Sequence, residues 1–179
     1  MKSDELRALQ APIKANYKAD AGAAMVTLRA RGSIDDTAIA CKVETGRALA
    51  VAGLHPATGG SGLELCSGDM LLEARVACAG VTLKAVATAI DVPLVSANVI
   101  AEGDLDFRGT LGVEKSAPVG FQAIRLRFEL NSDVPPEKRE QLIKLTERYC
   151  VVLQTLSVPP AVTVSIHAIQ DGVDLNGSA

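Results

Sequence analysis

Between residues 24 and 51 the chain alternates apolar and polar positions in three short runs, 24–31, 37–44 and 47–51, broken by Gly32-Ser33 and Thr45-Gly46. A period of two punctuated by turn residues predicts a meander of three short strands. Residues 53–68 carry His55-Pro56-Ala57-Thr58-Gly59-Gly60-Ser61-Gly62. That is too rich in glycine for regular structure, and the segment is expected as a loop wrapped near a site. Over 70–90 apolar residues fall almost all round a helical wheel, with Glu73, Arg75 and Lys84 as the charges. This predicts a long helix covered on most sides. Ser67 or Asp69 is the expected cap, and Asp69 and Glu73 suit the positive end of the helix dipole.

Strand patterns return at 95–105 and 123–130, the second with clean alternation from Ala123 to Leu130. Asn131-Ser132-Asp133-Val134-Pro135-Pro136-Glu137 has the form of a helix start, and Leu142, Leu145, Tyr149, Val152 and Leu156 carry one helix to about residue 156. Pro159-Pro160 ends it, and alternation over 161–167 predicts a last strand. Residues 1–20 are polar, contain Pro12, and are expected as an arm or short helix; 171–179 form a flexible tail. The order of strands, helix, strands, helix, strand favours an α+β domain over 21–170 rather than a doubly wound sheet.

With 179 residues the chain is the size of one domain, and with no Trp, three Phe and two Tyr its core must be aliphatic. A net charge of −3 with scattered Lys and Arg argues against nucleic acid or an anionic membrane as partner. The charges within 70–90 are too many for a lipid-facing span. Met1-Lys2-Ser3-Asp4-Glu5-Leu6-Arg7 lacks the apolar stretch of a secretory signal, so the cytoplasm is the expected compartment.

The four cysteines, Cys41, Cys66, Cys78 and Cys150, are too widely spaced for a secreted disulfide scaffold, and no CxxC or paired His spacing suggests a metal. Cys41 and Cys66 are expected as small buried core residues. Cys78 differs. Ala77, Ala79 and Gly80 leave room beside its sulfur, and Arg75, one turn earlier on the same face, is a cation able to stabilise a thiolate. A second cysteine, Cys150, sits in the later helix, and the pair points to thiol chemistry. His55 and His167 belong to no Cys/His motif and are expected as a turn residue and a sheet residue. Glu147, one turn before Cys150, disfavours a thiolate there if it lies close, and is otherwise solvated helix surface.

Gly59-Gly60, the run Gly68-Asp69-Met70-Leu71-Leu72-Glu73-Ala74-Arg75-Val76-Ala77-Cys78-Ala79-Gly80, and Glu147-Arg148-Tyr149-Cys150 together resemble the OsmC/Ohr family of thiol-dependent hydroperoxide reductases. The element order is similar over nearly the whole domain. The resemblance implies an OsmC-like α+β fold: an N-terminal antiparallel meander, a long buried central helix, further strands, a second helix and a final strand, in an intertwined homodimer with sites at the subunit interface. It also implies Cys78 as the peroxidatic thiolate and Cys150 as the resolving thiol, joined as a disulfide during turnover. The implied substrate is an organic hydroperoxide and the implied reductant an external thiol, a dithiol such as a lipoyl group among the candidates, with no metal or haem cofactor.

The chain departs from the family pattern at three places. The acid nine residues before the first cysteine is Asp69 where the family usually has Glu. Cys150-Val151-Val152-Leu153 stands where the family usually has Cys-Pro-x-Ser. The arginine that activates the thiolate has no single counterpart, which leaves Arg75, Arg47 and Arg31 as candidates, with Asp69 acting indirectly. Nine residues of unbroken helix turn through about 900° and rise roughly 13 Å, so Asp69 is expected to point away from Cys78. An alternative role is a non-catalytic OsmC-like dimer that binds a small apolar ligand, with its cysteines structural.

Overall fold

The computed structural model describes residues 2–19, 31–34, 40–44, 49–94, 96–112, 114–131 and 133–166; its meander consists of β1 (Arg31–Ile34), β2 (Ala40–Glu44) and β3 (Leu49–Gly53), and β1 includes Gly32-Ser33, expected as a turn. The three are antiparallel, with Gly32 opposite Val43 and Cys41 opposite Ala52. Residues 24–30, expected in the first strand, lie outside the described residues. The first twenty residues contain a helix, α1 (Ser3–Ala19), with Pro12 inside it.

The glycine-rich connection is more regular than expected. Pro56–Thr58 form a 3-10 turn, because Pro56 presets its backbone and the His55 ring nitrogen Nδ1 accepts the Ala57 N–H at 3.0 Å. Gly59 ends that turn at φ 92°, a left-handed conformation suited to glycine. At Gly60 a Cβ would lie 1.7 Å from the Leu54 carbonyl oxygen, so only glycine fits. The chain then returns as β4 (Leu65–Cys66), parallel to β3, and feeds directly into α2 (Ser67–Ala89). Neither Ser67 nor Asp69 caps that helix. Both lie inside its first turn, and Cys66 is the N-cap, without a side-chain hydrogen bond.

The long strands β5 (Ser96–Asp104) and β6 (Ala123–Asn131) pair antiparallel over their full length, from Ser96 opposite Asn131 to Asp104 opposite Ala123. Between them stands α3 (Phe107–Thr110), a short helix capped by Asp106 that the sequence pattern did not reveal. Along β6, Ile124, Leu126, Phe128 and Leu130 are partly buried while Arg125, Arg127 and Glu129 are exposed, the alternation expected of a strand with one covered face. Leu83, Val86 and Ala87 of α2 pack with Val92, Val134 and Leu142 into an aliphatic core, flanked by Val99, Phe128 and Leu130.

Within one chain the central helix is covered on one face only. Arg75, Ala79, Leu83, Val86 and Ala87 are buried along one stripe, whereas Ala74, Ala77, Val81 and Ala85 on the opposite side are exposed, Val81 by 72%. The packed elements meet α2 from one side, and one layer covers one face of a helix. The expected last strand is not formed among the described residues. Residues 161–166 join no strand or helix, and Val162, Val164 and Ile166 are exposed; alternation makes a strand only where a neighbouring edge accepts its backbone groups. His167 and the tail 171–179 lie outside the described residues.

Candidate functional site

The helix expected to run from 136 to 156 is two helices, α4 (Pro136–Tyr149) and α5 (Val151–Ser157), and the break falls on Cys150. Cys150 is extended, at φ −74° and ψ 105°. Its N–H still donates to the Thr146 carbonyl at 2.9 Å, while its own carbonyl accepts from Gln154 at 2.9 Å to start the next helix. The adjacent β-branched Val151-Val152 pair lowers the helix propensity there. The break has a chemical consequence. The first N–H groups of a helix have no partner within it, and those of Val151, Val152 and Leu153 turn toward the two sulfurs.

Cys150 is buried, 1% exposed, at the end of α4, and its Sγ lies 3.4 Å from the Sγ of Cys78 on α2. Cys78 is partly exposed, and both thiols are free. A disulfide requires about 2 Å between sulfurs, so a short approach closes the bond. The two thiols titrate in opposite directions. Burial opposes ionisation of Cys78, but hydrogen bonds from the Val152 N–H, the Cys150 thiol, the Thr82 hydroxyl and the Val151 N–H outweigh it and hold its pKa below the ordinary thiol value. Burial pushes the Cys150 thiol up; the Leu153 N–H opposes this, the hydrogen bond to Cys78 and the charge on Cys78 push it further up, and Arg75 pulls it down. Of the two thiols Cys78 is therefore the more readily ionised.

Arg75, proposed from sequence as a cation for Cys78, is 7% exposed on the buried stripe of α2, and its electrostatic effect falls on Cys150. Asp69 is exposed in the first turn of α2, nine residues before Cys78 on an uninterrupted helix, and is not brought to the sulfurs. Arg31 opens β1 opposite Glu44, and Arg47 lies outside the described residues. Glu147 is exposed on α4. Sequence inspection missed Thr82, though its position one turn after Cys78 was a legible signal. It also missed the amides of Val151, Val152 and Leu153, which exist as donors only because the helix breaks.

Cys66 corrects another expectation. It is not a core residue but a partly exposed one at the N-cap of α2, lining a cavity of ≈ 350 Å³ with His55, Asp69, Phe107 and Phe121. His55 stacks on Phe107, with ring centroids 4.8 Å apart. This cavity lies at the opposite end of α2 from the described core, and Cys66 in its wall is twelve residues and roughly 18 Å along the axis from Cys78. Among the described residues no group of three or more His, Cys, Asp or Glu side chains is arranged to hold a metal ion. No helix among them is long and apolar enough to cross a membrane.

Residues 60–165 match the family model described as OsmC-like protein. No curated protein is significantly similar to the chain. Among solved structures, an OsmC-like protein from Mycoplasma pneumoniae superposes with a TM-score of 0.62 at 15% identity, covering 75% of this chain and 89% of that one. An organic hydroperoxide resistance protein from Elizabethkingia anophelis gives a TM-score of 0.60 at 15% identity, covering 75% and 91%. An organic hydroperoxide resistance protein OsmC from Legionella pneumophila gives 0.58 at 14% identity, covering 74% and 90%. These likenesses establish the α+β fold, and since the family model spans more than half of the 179 residues, the chain belongs to the OsmC-like protein family.

Proposed function

We propose that this chain is a cysteine-based peroxidase that reduces organic hydroperoxides. The single observation carrying the proposal is the Cys78–Cys150 sulfur contact at 3.4 Å between thiols whose surroundings favour opposite charge states. The Cys78 thiolate attacks the distal oxygen of the hydroperoxide. The O–O bond breaks, the alkoxide leaves and takes a proton from solvent, and Cys78 is left as a sulfenic acid. Cys150 then attacks the sulfenic sulfur, the S–O bond breaks, and a disulfide forms with loss of water. An external thiol, for which a dithiol such as a lipoyl group is the candidate, reduces the disulfide and resets the pair. The partly exposed sulfur meets the substrate and the buried one resolves it. Peroxide-related redox chemistry accords with the names of several structural neighbours.

The non-catalytic alternative treats the cysteines as inert packing. A lowered pKa on a partly exposed Cys78 weighs against it, because inert structural thiols are buried in apolar surroundings that raise theirs. We further propose that two copies associate through α2, since the exposed Ala74, Ala77, Val81 and Ala85 form a contiguous small-residue face that a second copy would cover.

The test is consumption of an alkyl hydroperoxide in the presence of dihydrolipoamide, compared with a monothiol at equal thiol concentration. Turnover that depends on the protein, and is faster with the dithiol, is the expected result. No turnover with any thiol, together with no loss of free thiols on peroxide addition, would remove the peroxidase proposal.

A further inference from the structure

Among the side chains whose burial is described, Arg75 is the one charged group that is buried, and its Nε is withdrawn from solvent without a hydrogen-bond partner. A buried cation without an anion is costly, and a residue needed only for packing on that stripe would be apolar like its neighbours Ala79, Leu83, Val86 and Ala87. No Asp or Glu whose burial is described is buried with it. Glu73 on its own helix and Glu147 on α4 are both exposed. Arg75 lies one turn before Cys78 on the buried stripe of α2, a helix that packs against α4 and α5, whose junction is Cys150, and the Cys150 sulfur is 3.4 Å from that of Cys78.

We propose that Arg75 is a positioning residue for the second half of the reaction, holding Cys150 as a thiolate while it attacks the sulfenic sulfur of Cys78. The step rests on the peroxidase function proposed above. When the resting pair ionises the charge falls first on Cys78, and the hydrogen bond and charge of Cys78 then oppose ionisation of Cys150 against the pull of Arg75. Oxidation of Cys78 to a neutral sulfenic acid removes both of those effects. Burial of Cys150 is then opposed by Arg75 and the Leu153 N–H without interference from a neighbouring charge. Cys150 loses its proton to solvent, its sulfur bonds to that of Cys78, and the departing hydroxide takes up a proton. The guanidinium thus favours ionisation of the resolving thiol most in the state where resolution needs it.

The experiment has two arms. In a chain carrying Cys41→Ser, Cys66→Ser and Cys78→Ser, Cys150 is the only thiol, and the serine introduced by Cys78→Ser presents a neutral hydroxyl in place of the charged sulfur. Thiolate absorbance is titrated with and without Arg75→Met. The midpoint is expected to rise by about one to three pH units on removal of the cation, and Arg75→Lys is expected to restore most of the shift. Arg75→Gln serves in place of Met should the apolar variant fail to fold. In the otherwise unmodified chain, Arg75→Met is expected to accumulate Cys78 sulfenic acid, trapped by a cyclic diketone after one equivalent of hydroperoxide, while its rate of formation changes less than about twofold. An unchanged Cys150 midpoint, or slower sulfenic acid formation with normal disulfide closure, overturns the assignment of Arg75 while leaving the peroxidase proposal standing. Failure of the unmodified chain to form any sulfenic acid removes the peroxidase proposal and, with it, the step given to Arg75.

Discussion

The Cys150 thiol donates to the Cys78 sulfur across 3.4 Å, so the buried cysteine lowers the pKa of the partly exposed one while its own is raised. One contact therefore separates the two thiols into an attacking and a waiting member. The separation depends on the break between α4 and α5, which turns unpaired backbone amides toward the sulfurs.

Cys78→Ser is expected to abolish hydroperoxide consumption, whereas Cys66→Ser is expected to retain more than about half of it, because Cys66 sits at the far end of α2. Steady-state assays with a dithiol reductant check both. Substantial activity in Cys78→Ser would assign the chemistry to another residue.

Val151→Pro tests the amide contribution to Cys78. Val151 is the first residue of α5, where proline is well tolerated, and the extended Cys150 before it suits a following proline. The substitution removes one N–H donor to the Cys78 sulfur. Because the folded pKa of Cys78 lies below its ordinary value, its thiolate persists to lower pH than that of a free thiol, and loss of the donor moves ionisation back up. The pH profile of iodoacetamide labelling at Cys78 is expected to shift to higher pH in Val151→Pro and to stay in place in Val151→Ala.

One equivalent of hydroperoxide, without reductant, is expected to link the peptides containing Cys78 and Cys150, as read by mass spectrometry. In Cys150→Ser the same treatment with excess peroxide should carry Cys78 to sulfinic acid, because no thiol intercepts the sulfenic acid. Unchanged turnover and no sulfinic acid in Cys150→Ser would make Cys150 a packing residue.

Sedimentation at micromolar concentration is expected to report a dimer, and Val81→Glu is expected to shift it toward monomer by placing charge on the exposed face of α2. A monomer at all concentrations in the parent chain would count against association through this helix.

The sequence by itself determined the elements whose patterns are local. Alternation along 123–130 marked β6, the apolar run after Gly68 marked α2, and the Pro135-Pro136-Glu137 segment marked the start of α4. Small residues around Cys78 singled out that sulfur, and the resemblance at residues 147–150 singled out Cys150 as its proposed partner. Tertiary structure decided what those patterns could not carry. Leu142, Val152 and Leu156 fit one helical period, yet the chain breaks at Cys150, because hydrophobic spacing does not record where a backbone turns. Arg75 lies on the same face as Cys78 by spacing, yet the ionisation it favours is that of Cys150, a residue that only the folded chain brings beside α2. The alternating 161–166 segment joins no strand, because a ladder needs a second edge, and that is a property of the assembled fold rather than of the segment.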